Sequence, residues 1–247
     1  MSRNLLLISN STNPGEEYLG WPRPYIANFL KKFSVRSVLF IPYAGVNLSR
    51  EGIRESWDAY GTKVKDVFSG FGIELNSVHL TTDPQKAVKK AECIVVGGGN
   101  TFHLVRMMHE TGIMHVIRKQ SRLGIPYVGW SAGANVACPT MKTTNDMPIS
   151  EPSSFRCLDL IPFQINPHYT DENPQGHAGE TREQRILEFL AVNRDVKVAG
   201  LREGCLLWIE GDYLELKGKQ AVRVFTFGRA PAEYKEGDAL DFLLRTG

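Results

Sequence analysis

The chain is predicted to fold as a three-layer α/β sandwich around a mostly parallel central sheet, and three observations carry that prediction. Short unbroken runs of branched apolar residues recur along the N-terminal half, the pattern of strands buried on both faces. Between them lie stretches whose apolar residues fall at three- and four-residue steps, one face of a helix. Strands alternating with helices need crossover connections, and those make neighbouring strands parallel.

The elements follow in order. Residues 5–8 form the first strand, and the turn-rich segment 10–15 (NSTNPG) ends it. Residues 24–33 have helical spacing, and 37–41 form a second buried strand closed by Pro42. Trp57, Tyr60, Val64, Val67 and Phe68 share one face of a long helix. Residues 73–80 alternate, and Asp83-Pro84 opens a short helix in the favoured cap-then-proline order. Ile94-Val95-Val96 runs into a glycine triplet, after which Thr101 is expected to cap a helix holding Phe102, Leu104, Val105 and Met108. A helix over 113–123 leads to a fifth strand at 125–130. Past Ile161 the pattern changes. Strands at 196–201, 206–210, 213–216 and 222–227 sit close together, so antiparallel hairpins are expected to finish one side of the sheet. With 247 residues, 42% of them apolar, and no internal repeat, one domain over residues 1–247 is expected.

Composition narrows the function. Twenty-nine basic against 27 acidic residues leave +2, without the basic surplus that tracking a phosphate backbone requires, so nucleic acid is not an expected partner. The apolar run near the N-terminus is too short for a signal peptide. The charge-free stretch 123–141 is broken by glycines and prolines, so no membrane span is expected and a cytoplasmic location is. Cys93, Cys138, Cys157 and Cys205 are widely spaced, which points to neither a metal site nor a disulfide framework. No cofactor is expected.

In open parallel sheets, ligands bind beyond the carboxyl ends of the strands. Two strands end there in unusual sequences: Gly97-Gly98-Gly99-Asn100-Thr101 and Gly129-Trp130-Ser131-Ala132-Gly133. The second is G-x-S-x-G at a strand-to-helix junction, the context in which that pattern holds a nucleophilic serine on a tight turn. Ser131 is therefore the candidate nucleophile. The backbone N–H groups of Gly98, Gly99 and Ala132 are candidates for an oxyanion hole, and Asn100 beside them is a candidate substrate contact. The glycine triplet fails as a dinucleotide fingerprint, because Phe102 stands where a third glycine is required.

A serine nucleophile needs a base, and the base needs an orienting carboxylate. Of six histidines, His103, His109 and His115 do not share a helix face, His79 reads as packing, and His177 lies in a polar loop. His168, in Ile165-Asn166-Pro167-His168-Tyr169, follows an apolar run at a strand end, where a sheet can deliver a catalytic side chain. For the carboxylate, Asp146 and Glu203 are both candidates, and spacing does not choose between them.

Taken in order, residues 8–12, 41–45, 96–101, 129–140, 143–148, 165–169 and 179–185 resemble the peptidase E family of α-aspartyl dipeptidases. The resemblance runs through about the first 200 residues and loosens after them. That family is similar in fold to the class I glutamine amidotransferases, which carry cysteine where this chain has Ser131. The resemblance implies a cytosolic serine peptidase, free of metal and cofactor, that hydrolyses dipeptides beginning with aspartate through an acyl-enzyme. It maps the nucleophile onto Ser131 and the base onto His168. The third position corresponds to Asp146 or Glu203, with Asp146 slightly favoured because its segment matches better. An aspartate side chain calls for arginine's bidentate fork. Arg182 and Arg185 are three residues apart at the start of an amphipathic helix and share a face, with Arg182 the first choice. A monomer or homodimer acting on a small dipeptide is expected. The alternatives are a cyanophycinase-like β-aspartyl peptidase and a noncatalytic amidotransferase-like binding domain.

Overall fold

The structure, a computed structural model, describes residues 3–172 and 179–245. Strand β1 (Asn4–Ile8) leads to helix α1 (Arg23–Lys32), β2 (Ser37–Ile41), α2 (Ile53–Ser69) and β3 (Glu74–Ser77). Helix α3 (Pro84–Lys90), β4 (Ile94–Val96), α4 (Thr101–Glu110), α5 (Ile113–Arg122), β5 (Tyr127–Trp130) and the single turn α6 (Ala132–Asn135) follow. The C-terminal part holds β6 (Gln164–Tyr169), α7 (Arg182–Val192), β7 (Val198–Arg202), β8 (Cys205–Glu210), β9 (Tyr213–Gly218), β10 (Val222–Phe225) and β11 (Ala232–Tyr234).

Seven strands make the central sheet in the order β3-β2-β4-β5-β1-β8-β9. The first five are mutually parallel, and β8 and β9 add antiparallel at the β1 edge. Side chains alternate between two cores, as the pleat requires. Leu5, Leu7, Leu39, Ile41, Ile94 and Val96 face α3, α4 and α5. Leu6, Ile8, Val38, Phe40, Val95 and Val128 face α1 and α2. That is the predicted three-layer arrangement, and it explains why these strands read as continuous apolar runs. Among the described residues no helix is long and apolar enough to cross a membrane.

The C-terminal expectation needs correction. The late strands do not all finish one side of the sheet, because β6, β7, β10 and β11 form a second sheet in the order β11-β10-β7-β6. The chain crosses between the sheets in two residues, Glu203-Gly204, with Gly204 in the left-handed region at φ +79°. Two smaller corrections concern helix starts and strand ends. Asn100, not Thr101, caps α4, its side-chain oxygen accepting from the His103 amide at 3.0 Å. The alternating segment ends as a strand at Ser77 and continues as one 3-10 turn. His177 lies outside the described residues. All four cysteines are buried and unpaired with one another.

Candidate active site

Ser131 stands between β5 and α6 with φ +54°, ψ −113°, a strained position for a residue with a Cβ. Its amide donates to the Ile8 carbonyl at 2.9 Å, which ties the turn to the end of β1. The flanking glycines are required by space. A Cβ on Gly129 would lie 2.3 Å from the Gly133 oxygen, and one on Gly133 would lie 2.2 Å from the Val96 oxygen. Only a G-x-S-x-G sequence lets the chain turn this tightly here.

His168 also has a positive φ, +53°, at a register irregularity between Pro167 and Tyr169 in the β6–β7 pair. A bulge of this kind re-aims a side chain. Its amide donates to Ser9 Oγ at 3.0 Å, and Ser9 Oγ donates onward to the Leu201 carbonyl at 2.7 Å. Ser9, one residue past the end of β1, thereby clamps β6 and β7 from the central sheet. The adjacent Asn10 accepts the Gly204 amide on its side-chain oxygen at 2.9 Å, holding the link that carries Glu203.

Three elements thus meet at the seam between the sheets. His168 Nε2 lies 2.8 Å from Ser131 Oγ, and His168 Nδ1 lies 2.6 Å from Glu203 Oε1. A carboxylate only accepts, so the Nδ1 proton faces Glu203 and Nε2 is left to accept the serine hydroxyl. Arg202, next to Glu203, pairs with Asp171 at 2.6 Å and Glu233 at 2.8 Å, pinning the end of β7.

Asp146 is not at this histidine, which corrects the preference for it. Its Oδ2 accepts from the Thr101 amide at 2.7 Å, the Thr101 hydroxyl at 2.5 Å and the Thr144 hydroxyl at 3.1 Å. It closes the start of α4, where an anion also meets the positive end of the helix.

Beside Ser131 opens a cleft of about 430 Å³, bordered among others by Tyr18, Asn47, Tyr60, Lys63, Gly98 and Asn100. Gly98 packs directly on the serine, since a Cβ there would lie 2.8 Å from Ser131 Cβ. Gly99, at φ +131°, passes so close to Ala44 that a Cβ would lie 2.2 Å from its oxygen. Among the described residues, no group accepts the Gly98, Gly99 or Ala132 amides. Asn100 borders the cleft, but both ends of its amide are engaged: Oδ1 in the α4 cap and Nδ2 on the Met147 carbonyl at 2.9 Å.

Behind the cleft lies a group the sequence reading did not find. The buried Tyr60 hydroxyl accepts from Trp130 Nε1 at 3.1 Å and from the Tyr18 hydroxyl at 3.3 Å. Its one proton goes to the Gly98 carbonyl at 3.0 Å. Burial pushes its ionisation up to about 12, so it stays a donor. In a trans peptide the C=O and the next N–H point in opposite directions, so holding the Gly98 carbonyl inward turns the Gly99 N–H outward. The sequence marked Tyr60 only as a core position on α2; nothing local signals its bond to a glycine carbonyl. Asn10, read only as the start of a turn, and Ser9 before it likewise act through backbone groups that no local signal shows.

Arg182 and Arg185 border a separate pocket of about 180 Å³, shared with Asn145, Asp146 and Phe189, and neither lines the Ser131 cleft. Arg182 donates to Asn145 Oδ1, and Asn145 Nδ2 donates to the Pro167 carbonyl at 2.6 Å, one residue before His168. Burial, then the Arg185 charge, lowers the Arg182 pKa, while Asp146 opposes the shift. Arg185 pairs at 3.7 Å with Glu180 and is mostly exposed.

Comparison with known proteins follows the same lines. The chain is 50% identical over 244 residues to peptidase E of Nostoc sp., covering 99% of this chain and 98% of that protein. It is 45% identical to peptidase E of Salmonella newport, covering 94% and 98%. The crystal structure of a peptidase from an acI-B1 actinobacterium superposes with a TM-score of 0.67 over 97% of both chains, at 18% identity, a likeness of fold. The pattern of peptidase family S51 matches residues 5–217. The chain belongs to peptidase family S51 and is a serine-type peptide hydrolase.

Proposed function

We propose that this peptidase hydrolyses dipeptides whose first residue is aspartate, through an acyl-enzyme on Ser131. The observation that carries the reading is the relay from Ser131 through His168 to Glu203, at 2.8 and 2.6 Å, opening on a cleft whose backbone amides have no partner among the described residues. Ser131 Oγ attacks the peptide carbonyl as His168 Nε2 takes its proton. Glu203 holds the imidazole in the tautomer that can accept, and stabilises the imidazolium that forms. The amides of Gly98, Gly99 and Ala132 receive the charge that develops on the carbonyl oxygen. The imidazolium returns its proton to the leaving amine. Water then attacks the aspartyl ester by the same route, and the serine is restored.

Selectivity for aspartate needs a cation for its side-chain carboxylate. Arg182 is the proposed one: it is half-buried, and Asn145 links it to the backbone carbonyl beside His168. The chain is proposed to act as one domain in the cytoplasm, as a monomer or homodimer, without a cofactor.

The test is a panel of Asp-Leu, Glu-Leu, Leu-Leu and β-linked Asp-Leu. Turnover of Asp-Leu above all the others is expected, by at least a hundredfold over Leu-Leu, whose first residue offers Arg182 no carboxylate. Equal turnover of Leu-Leu would remove the aspartate specificity. Preference for the β-linked isomer would move the chain to the cyanophycinase-like alternative. No turnover of any, with Ser131 unlabelled by a phosphonate, would favour the binding-domain alternative.

A further inference from the structure

Lys63, on α2, borders the same cleft as Ser131, Gly98 and Gly99. Apart from His168 it is the one titratable cation among the described residues that line this cleft. Its ammonium nitrogen stands 4.0 Å from the centre of the Tyr18 ring, and no carboxylate among the described residues forms an ion pair with it. Other cations near the seam are already engaged: Arg202 and Arg223 in ion pairs, and Arg182 with Asn145. A ring face satisfies only one side of an ammonium, which has three N–H donors. Lys63 therefore presents an unneutralised charge to the space where substrate must lie.

From this we infer that Lys63 binds the α-carboxylate of the second, departing residue and so restricts the enzyme to dipeptides. The inference rests on the dipeptidase reading above. An α-Asp-X dipeptide carries two carboxylates. The side-chain carboxylate of the first residue is assigned to Arg182, in the other pocket. The second carboxylate is joined through a single carbon to the leaving nitrogen, and that nitrogen must occupy the Ser131 cleft during acyl transfer. It can then reach only a cation of this cleft. A longer peptide, or a dipeptide amide, puts a neutral amide in that place. That amide offers the ammonium only a neutral carbonyl oxygen, and the ion pair would be lost. Selection of this kind combines one attraction with one mismatch. A lysine suits it, since a flexible point charge tolerates differing second residues where a planar fork would fix the carboxylate plane.

The experiment compares Asp-Leu with Asp-Leu-amide in the wild-type enzyme and in Lys63→Met, which removes the charge from an exposed position. Wild type should favour the free acid about tenfold in kcat/KM, a difference of about 1.4 kcal/mol. In Lys63→Met the ratio should collapse towards one, through a raised KM for Asp-Leu with kcat little altered. The preference for Asp-Leu over Ala-Leu should survive in the variant. The inference is overturned if wild type does not discriminate acid from amide, or if Lys63→Met keeps the full discrimination. Loss of the aspartate preference in Lys63→Met would also overturn it, since Lys63 would then read the side chain. Failure of wild type to cleave either compound would instead overturn the dipeptidase reading on which it rests.

Discussion

Among its described residues the molecule contains two serine–histidine–carboxylate relays. In one, His168 bridges Ser131 and Glu203 at 2.8 and 2.6 Å. In the other, His79 bridges Ser77 and Asp58 at 2.7 and 2.9 Å. Both border cavities of comparable size, about 430 and 400 Å³. Distances and cavities alone therefore do not single out a nucleophile. The backbone does. Ser77 is an ordinary extended residue (φ −103°, ψ 131°) at the end of β3, in register with Phe40. Its histidine is used the other way round, with Nδ1 accepting from the serine and Nε2 facing the acid, and that ring is packed edge-on against Trp57. Ser131, by contrast, sits at φ +54° on an elbow only glycines can flank, beside amides with no partner among the described residues. The strain concentrated at Ser131 and His168 marks the relay aimed at a substrate, while the relaxed relay ties β3 to α2.

The largest effect expected to separate the two is that of Ser131→Ala. It should leave a folded protein and lower Asp-Leu turnover by a factor on the order of 10⁶, as loss of a nucleophile does. More than a few per cent residual activity in a clean preparation would end the serine mechanism. Next comes the acid. Glu203→Gln replaces the acceptor-only carboxylate that sets the His168 tautomer with an uncharged amide that can also donate, and should cost as much as about 10⁴ in kcat. Asp146→Asn should instead show in stability, by about 1–2 kcal/mol, because it loses charge-assisted bonds at the start of α4. Should the two variants exchange these outcomes, the relay drawn through Glu203 is wrong.

Why the sequence resolved one part of this and not the other has a physical answer. Strands β1, β2, β4 and β5 are buried on both faces, so their residues could only be continuous apolar runs. The G-x-S-x-G elbow is a local steric requirement, and it was legible as such. His168 was legible because it follows an apolar run at a strand end, directly after a proline. The choice between Glu203 and Asp146 was not, since it depends on a pairing far apart in the chain. β8 adds to β1 while β7 joins the other sheet, and only that split carries the two-residue link of Glu203 to the seam. The surroundings of the arginines were hidden in the same way. Spacing told which face of α7 they share, but not that the face meets Asn145 rather than the Ser131 cleft. Tyr60 and Ser9 act through backbone groups, and backbone partners leave no trace in side-chain type.

Tyr60→Phe sharpens the account of the elbow at a smaller scale. The ring stays, but the Gly98 carbonyl loses its donor and the Gly98–Gly99 peptide loses what orients it. Turnover should fall about tenfold in kcat with KM nearly unchanged, a fraction of the 10²–10³ that losing an oxyanion donor outright brings. Affinity for a peptide boronate, which places an oxygen in the same position, should fall by the same factor. A rise in KM at constant kcat would mean that Tyr60 shapes the cleft without orienting the amide.

The smallest effect belongs to the second relay, and it is the one that tests the comparison itself. Ser77→Ala removes one largely buried hydroxyl and its bond to His79. A hydrogen bond of that kind contributes about 0.5–1.5 kcal/mol, which for a chain of this size lowers the melting temperature by roughly 2–4 °C per kcal/mol. Asp-Leu turnover should stay within twofold of wild type, because neither Ser77 nor His79 reaches the Ser131 cleft. A phosphonate probe should label one serine per chain, in the peptide containing Ser131, in both wild type and variant. Labelling at Ser77, or a tenfold loss of turnover in Ser77→Ala, would show that a relaxed backbone does not disqualify a serine here, and the argument from strain would fall with it.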